Sequence, residues 1–251
     1  MKRTLLIATV AILATAELCA QATKTTANIN QVWLGYFNQS RFSKHWGSWT
    51  DLHLRSKENF FDNYSQSIIR LGLTYYIDNT TKLTAGYARV FIYPADNHNA
   101  VTRTEHRPWQ QLQWHTSFSK TRLMQWIRLE ERFRRKIKND STLADGYNFN
   151  WRLRYNIWYE VPLCKNGLKP GSFSFIANDE LHINFGKEIV YNYFDQNRFF
   201  LGFKYQVSPT SNLQFGYMNL FQQLGAGNSY KNIQAGRVFF FQNFDFRKKS
   251  S

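Results

Sequence analysis

Apolar and polar residues alternate with a period of two along most of this chain. Ile69, Leu71 and Leu73 are apolar, for example, and Arg70 and Gly72 stand between them. This period is typical of β-strands, because successive side chains of a strand point to opposite faces. The pattern predicts eleven strand-like segments, at residues 30–38, 46–56, 64–77, 81–93, 105–118, 122–134, 147–161, 172–185, 198–207, 212–223 and 232–246.

The sequence pattern of one long hairpin occurs twice in the chain, at residues 69–91 and at residues 199–221. In both copies large apolar residues alternate with small or polar ones, a turn cluster follows, and the alternation resumes. Seven positions recur: Leu71, Gly72, Tyr75, Leu83, Gly86, Tyr87 and Phe91 of the first copy correspond to Leu201, Gly202, Tyr205, Leu213, Gly216, Tyr217 and Phe221 of the second. Long strand pairs with two unlike faces are typical of β-barrels that cross a bilayer.

Segment length and aromatic content favour a membrane barrel over a soluble β-protein. The segments run over roughly 10 to 15 residues, whereas strands of soluble sheets usually have about 5 to 6. Aromatic residues make up 18% of the chain although its mean hydropathy is −0.51. Tyrosine and tryptophan lie near the segment ends, as in the aromatic girdles of barrels. A barrel explains this combination because half of each strand faces lipid and half faces a polar lumen.

The connectors between the segments alternate between two kinds. The connectors near 78–81, 119–122 and 208–212 have the composition of tight turns, whereas 94–104, 135–146, 186–197 and 224–231 are longer and polar. We therefore predict an all-β fold, an antiparallel transmembrane β-barrel of 10–12 strands with short periplasmic turns and longer external loops. Alternation alone does not say whether the apolar face points outward to lipid or inward to a protein core. A soluble periplasmic β-barrel binding protein is therefore the alternative.

The number of strands is constrained by the way bacterial barrels close. These barrels have an even number of strands, which brings both termini to the periplasmic side. Eleven segments do not satisfy this rule, so we expect ten or twelve strands and favour twelve. Either the segment at 30–38 is not part of the wall, or a further strand lies around residues 22–29.

The N-terminus predicts export from the cytoplasm. Lys2 and Arg3 form a basic region, residues 5–16 form a continuous apolar stretch, and Ala20 and Ala22 flank a small-residue cleavage site. We predict a signal peptide at residues 1–22, cleaved after Ala20 or Ala22, and a single outer-membrane barrel domain at residues 23–251. The predicted location is the outer membrane of a Gram-negative cell, with the lipids of that membrane as partners.

The last predicted strand carries a short motif that resembles an assembly signal. Gln234, Gly236, Phe239 and Phe241 have the polar-x-Gly-x-x-aromatic-x-aromatic spacing that the outer-membrane assembly machinery reads. The motif therefore predicts the barrel assembly machinery as a partner. Further residues follow it, to the end of the chain at Ser251.

Charged residues fall on the polar faces of the predicted strands. The formal net charge is +15, which is compatible with nucleic acid, but export makes that partner unexpected. We predict a luminal charged cluster of Glu105, Arg107, Arg128, Glu130, Arg132, Arg152, Arg154, Glu180 and Arg198. Ion pairs among these residues would fill and stiffen the lumen, and the excess of arginine would instead favour a small anionic solute. We prefer the filled lumen, in a porin-like barrel with a structural or small-solute role.

Evidence for catalysis in the sequence is sparse, and we expect no enzymatic activity. His115 and Ser117 lie two residues apart and share a strand face. With Glu130 on the next strand they would form a Ser–His–acid arrangement, as in a lipid-modifying outer-membrane hydrolase. Their place in the alternation of the strand (their parity) puts them on the lumen-facing side, however, away from lipid. The remaining histidines show no metal-ligand spacing, so we expect neither a metal nor a cofactor.

Several segments resemble those of the outer-membrane barrel family called domain of unknown function 2490. They are residues 105–111 (EHRPWQQ), 128–133 (RLEERF), 178–180 (NDE), 194–198 (FDQNR) and 216–219 (GYMN), and the resemblance covers residues 30–246. Glu131 departs from the family pattern, in which glutamine is more usual. The resemblance implies an outer-membrane barrel and no particular substrate. Several charged residues of these segments share the inward parity, so we expect one cluster across the upper lumen.

Overall fold

The structure is a computed structural model that describes residues 23–57, 63–94, 99–164 and 169–247. The described residues form eleven strands, and none of them belongs to a helix long and apolar enough to cross a membrane. The strands are β1 (Thr25–Arg41), β2 (Trp46–Lys57), β3 (Asn63–Tyr76), β4 (Thr81–Ile92), β5 (Arg103–Ser117), β6 (Arg122–Asn139), β7 (Thr142–Pro162), β8 (Phe173–Phe185), β9 (Phe194–Gln206), β10 (Ser211–Gln223) and β11 (Ser229–Asp245). The predicted signal peptide lies outside the described residues.

The strands close into one barrel in chain order, with antiparallel neighbours from β1 to β11. The closing pair is the exception, because β1 runs parallel to β11, from the partners Thr25 and Ser229 to the partners Arg41 and Asp245. The prediction of all-β barrel architecture is confirmed. Eleven strands fall within the predicted range of 10–12, but the expectation of an even number is wrong for the described residues, because β1 is a single wall strand that covers residues 30–38 and most of 22–29.

The two ends of the barrel differ in their connectors. One end, here called the turn end, carries the connectors at 42–45, 77–80, 118–121, 163–172 and 207–210. The opposite end, here called the loop end, carries those at 93–102, 140–141, 186–193 and 224–228. Because the strand number is odd, β1 begins at the loop end and β11 finishes at the turn end. The expectation that both termini meet at one end is therefore wrong.

The connector predicted at residues 135–146 is instead part of the wall. β6 and β7 continue as a paired hairpin to Asn139 and Thr142, so only residues 140–141 separate the strands. The register shifts between Arg135 and Ile137 and again between Ile137 and Asn139. The side chains of residues 135–147 are exposed or half-buried on both faces of this hairpin, which suits their polarity. Polarity alone therefore did not distinguish an extended hairpin from a loop.

The tight turns form as their composition predicts, and the turn after β3 is an example. The Asp78 carboxylate accepts hydrogen bonds from the Thr80 hydroxyl at 2.7 Å and from the backbone N–H groups of Thr80 and Thr81 at 2.6 and 2.7 Å. Those bonds to the charged form, led by the Thr80 hydroxyl, lower the pKa of Asp78. Side-chain acceptors of this kind replace backbone partners where the chain reverses.

Apolar side chains point out of the barrel, and polar side chains point in. On β3, Leu71 is 57% exposed and Leu73 54% exposed, whereas Arg70 is only 4% exposed. The same alternation holds on β7 and β9, where Leu153 and Leu201 point outward and Arg154 and Lys204 are buried. This orientation suits a lipid-facing wall and is the reverse of that in a water-soluble β-sandwich. The predicted assignment of faces is confirmed on these strands.

The repeated hairpin forms β3–β4 in its first copy and β9–β10 in its second. In the first copy Gly72 pairs with Gly86, and the indole of Trp109 lies across both glycines. In the second copy Gly202 pairs with Gly216, and the ring of Phe200 lies against Gly202. Such close approach of two backbones and a ring leaves no room for a Cβ atom. The repeat therefore preserves two sites where an aromatic ring lies on the inner wall.

Gly236 does not share this role. The inward residues of β11 are Lys231, Ile233, Ala235 and Arg237. Gly236 therefore faces outward, and a Cβ atom there would meet no heavy atom within 4 Å.

Candidate functional site: the charged lumen

A cavity of about 540 Å³ lies inside the barrel. We call it the luminal cavity. It extends from the loop-end half, where Gln66 and Gln222 line it, to the turn end, where Arg122 and Asn243 line it. Its walls are built by inward-facing side chains, so its chemistry follows from the strand alternation.

The predicted luminal cluster lies on five consecutive strands, β5 to β9. Its side chains, with the addition of Asp195, form one continuous chain of contacts that we call the arginine–carboxylate network. The order of contact is Arg107, Glu105, Arg132, Asp195, Arg152, Glu130, Arg154, Glu180 and Arg198, and Arg128 joins at Glu130. The structure thus brings all nine predicted residues together on the inner wall, with Asp195 as a tenth.

Glu130 is the centre of the network. Its carboxylate accepts hydrogen bonds from Arg152 Nε at 2.9 Å and from Arg154 Nη1 at 2.6 Å. Arg107 Nη1 and Arg128 Nη1 lie 3.6 and 3.9 Å from it. One fully buried carboxylate therefore holds four guanidinium groups in place. Removing its charge would leave those four groups to repel one another.

Two further carboxylates extend the network toward the loop end. Glu105 accepts hydrogen bonds from the Nε atoms of Arg107 and Arg132, each at 2.8 Å. Asp195 accepts one from Arg152 Nη1 at 2.9 Å and lies 3.8 Å from Arg132 Nη1. The sequence prediction missed Asp195 because it fell within the connector assigned to 186–197. Strand parity gave no signal for it, because Asp195 shares the parity of outward-facing Phe199 and turns inward beside the register shift at His182 and Ile183.

Glu180 extends the network in the other direction. It accepts a hydrogen bond from Arg154 Nε at 2.6 Å, and His182 Nε2 lies 3.1 Å from the same carboxylate oxygen. Arg198 Nη1 lies 3.6 Å from its other oxygen. His182 was not foreseen as part of the cluster, although it shares the strand face of Glu180.

A second buried cluster lies on β2 and β3, and the sequence prediction did not include it. Asp51 accepts hydrogen bonds from Arg70 Nη1 at 2.8 Å and from Trp49 Nε1 at 2.5 Å. His53 Nε2 lies 2.9 Å from Asp51. Arg70 and Arg128 are both near the ring of Trp109, with guanidinium carbons 5.8 and 4.5 Å from its centroid. The alternation of Trp49, Asp51 and His53 on one face was the available signal.

The surface of the luminal cavity is strongly cationic. Of the described residues that line it, twelve are arginine or lysine and two are glutamate, Glu160 and Glu180. Asp51, Glu105 and Glu130 are fully buried behind their arginine partners and do not reach this surface. A solute in the cavity therefore meets mainly positive groups.

Part of the cavity wall is apolar, which the sequence prediction did not include. A buried cluster on β1 and β8–β11 contains Trp33, Met218, Leu220, Ile233 and Phe239, and all five side chains line the cavity. Inward positions of a barrel are expected to be mostly polar. This apolar patch faces the cavity beside cationic groups, so the lumen can contact both charged and apolar parts of a solute.

The residues of the hydrolase alternative are not brought together. His115 lies near the turn end of β5, where its Nε2 is 2.9 Å from Gln113 Nε2. Glu130 pairs across the strands with Trp109, six positions away from His115 along β5, and it is engaged by arginines. Ser117 is exposed two positions beyond His115. Glu130 therefore does not orient His115, and the predicted three-residue arrangement is not formed.

The predicted assembly signal lies on β11, which forms the closing pair with β1. Gln234 and Gly236 face outward, whereas Phe239 is only 7% exposed and faces the lumen. Phe241 shares the inward face and stacks on Phe37, with ring centroids 4.4 Å apart. Its aromatic residues thus pack inside the barrel in the folded chain.

The closed sheet, the apolar outer wall and the charged inner wall define a transmembrane β-barrel with a cationic lumen. The sequence profile of the family described as Protein of unknown function (DUF2490) matches residues 30–231. The chain belongs to this family, and the resemblance found in the sequence is confirmed.

Comparison with other proteins adds one structural likeness. A solved structure titled "NanC porin structure in rhombohedral crystal form" superposes with a TM-score of 0.46 at 12% sequence identity, covering 76% of this chain and 87% of that chain. No curated protein matches the sequence.

Proposed function

We propose that this protein is an outer-membrane barrel that admits small anions through its arginine-lined lumen. One observation carries the proposal: cationic side chains outnumber acidic ones by twelve to two among the described residues that line the luminal cavity. Low-dielectric walls focus the field of such groups, which raises the local concentration of anions and repels cations.

The arginine–carboxylate network limits the size of the solute. Its guanidinium groups are held on the wall by buried carboxylates, for example Arg152 between Glu130 and Asp195. Groups fixed in this way cannot easily swing aside to widen the lumen. The same network is the observation that favours a second candidate, a stiff barrel with a filled lumen and a structural role. A conductance measurement distinguishes the two.

In planar bilayers we expect the purified protein to give steady conductance steps with a reversal potential that indicates anion selectivity. Replacing Arg122 with glutamate should shift the reversal potential toward cation permeability, because Arg122 lines the cavity at the turn end. The matched control is Lys120→Glu, which makes the same charge change in the exposed connector at 118–121.

Three results would decide between these candidates. Anion-selective steps that respond to Arg122→Glu and not to Lys120→Glu support an anion pathway. Absence of any conductance supports the filled, structural barrel. Cation-selective steps contradict both, because the cavity surface is cationic.

We further propose that the loop end faces the outside of the cell, since outer-membrane barrels have their longer loops there. Cys164 lies exposed in the connector at the turn end, so an impermeant maleimide added to intact cells should leave it unlabelled. A cysteine introduced as Thr26→Cys in a Cys164→Ser background should be labelled, because β1 begins at the loop end.

Permeabilised cells supply the control, since both cysteines should then react. Labelling of Cys164 alone on intact cells would show the opposite orientation. Labelling of both cysteines on intact cells, or of neither, would contradict the parallel closure of β1 on β11.

A further inference from the structure

Arg237 on β11 differs from the arginines of the arginine–carboxylate network. Its side chain faces the lumen and is only 6% exposed. Its Nε and Nη2 atoms are buried and have no hydrogen-bond partner in the described part of the chain. By contrast, Arg107, Arg132 and Arg152 each donate to a carboxylate. A buried guanidinium with unused donors is costly unless an acceptor joins it.

The guanidinium of Arg237 is nevertheless held in a defined position. Its central carbon lies 3.4 Å from the centroid of the Phe200 ring and 4.8 Å from that of Phe239. Phe200 can lie flat against the wall because Gly202, beside it, has no Cβ atom. The second copy of the repeated hairpin thus supplies a platform on which Arg237 stacks. A cation fixed in this way loses little conformational freedom when a ligand binds.

The surroundings of Arg237 indicate the kind of ligand. The luminal cavity is lined here by Arg237 and by the apolar residues Trp158, Met218, Leu220 and Phe239. A planar guanidinium with free N–H groups matches an oxyanion, to which it can donate two parallel hydrogen bonds. The neighbouring rings and aliphatic chains match a flat or apolar body.

We propose that Arg237 anchors a binding site for a small organic anion, with its oxyanion on the guanidinium and its apolar body against Trp158 and Phe239. This proposal deepens the proposed function, on which it rests, by naming the class of solute and the residue that holds it. Simple inorganic anions would bind the guanidinium but would make no contact with the apolar wall. The site therefore predicts a preference for organic over inorganic anions.

Calorimetric titration of the detergent-solubilised barrel tests the site, with benzoate as the probe. We expect benzoate to bind and its neutral analogue benzamide to bind at least about tenfold more weakly, since the oxyanion is lost. Arg237→Gln should weaken benzoate binding about tenfold or more. Arg247→Gln, which changes an exposed arginine outside the lumen, should leave it unchanged.

A second variant separates a specific site from a general positive field. Arg237→Lys keeps the charge but loses the flat two-donor group, so a specific site predicts about tenfold weaker binding. A general field predicts binding like that of the unchanged protein, which would overturn the proposal. Arg237→Lys also decides the matter if Arg237→Gln does not fold, as judged by heat-dependent migration in gels. Failure of the unchanged protein to bind benzoate, or equal binding of benzamide, would likewise overturn it.

Failure of the site and failure of the proposed function give different results. An anion-selective barrel that does not bind benzoate would retain the function without this site. A barrel that binds benzoate in detergent through Arg237 but never conducts would retain the site without an anion pathway.

Discussion

Replacing Glu130 with glutamine is expected to lower the free energy of unfolding by about 3 to 5 kcal/mol, because it removes one partner of a buried ion-pair system. The carboxylate of Glu130 is fully buried and contacts Arg107, Arg128, Arg152 and Arg154. Glutamine has nearly the same shape, so packing is preserved while the negative charge disappears. Urea titration in lipid vesicles, followed by tryptophan fluorescence, measures the change.

Glu131 supplies the matched control for this experiment. It is the next residue on β6, and its side chain points to the outer face. Its carboxylate accepts a hydrogen bond from Gln110 Nε2 at 3.4 Å. Glu131→Gln is expected to change the free energy of unfolding by no more than about 0.5 kcal/mol. Equal effects of the two substitutions would contradict the central role of Glu130 in the arginine–carboxylate network. They would mean that luminal water solvates the four arginines when the Glu130 charge is absent.

Alanine at Gly86 or Gly216 is expected to cost about 1 to 3 kcal/mol of stability, since each new methyl group would overlap backbone atoms of the paired strand. At Gly86 the Cβ atom would meet the carbonyl oxygen of Leu71 and would lie 2.7 Å from Gly72 Cα. At Gly216 it would meet the carbonyl oxygen of Leu201 and would lie 2.5 Å from Gly202 Cα. Backbone atoms held in a sheet cannot move aside as a flexible side chain can.

Gly236→Ala is the matched control, because a Cβ atom there faces open space. The same urea titration should show a change for Gly236→Ala that is small beside those at Gly86 and Gly216. The double variant Gly86→Ala with Gly216→Ala should show additive losses, since the two sites lie in separate hairpins. A stable Gly86→Ala variant would show that the two glycines do not bring β3 and β4 unusually close.

Much of the inner wall followed from the sequence because strand parity is strict. Once Leu71 is known to face outward, Arg70 must face inward, and the same reasoning places Arg152 and Arg154 on the inner wall. The hypothesis of one charged cluster needed only this parity and the chain order of β5 to β9. Asp195 was missed because the start of β9 was placed at Arg198 instead of Phe194. Parity would in any case have placed it outward with Phe199, and only the register shift at His182 and Ile183 turns it inward.

Arg237 shows what parity cannot supply. In the structure it lies on the same kind of inward face as Arg152, and nothing in the local sequence pattern separates the two. Their difference depends on neighbours that are distant in the chain, because Glu130 reaches Arg152 whereas Phe200 lies under Arg237. Contacts of that kind depend on strand tilt and register around the whole barrel.

The sequence by itself determined most of the strands and which side chains share a face, because a period of two residues fixes side-chain direction within each strand. Its motif segments also determined the family. Only the tertiary structure decided how the sheet closes and which charges are paired. The parallel contact of β1 with β11 is made by backbone hydrogen bonds, which are nearly independent of side-chain identity. Which charged groups lie within reach of one another depends on strand tilt and register, which the alternation does not contain.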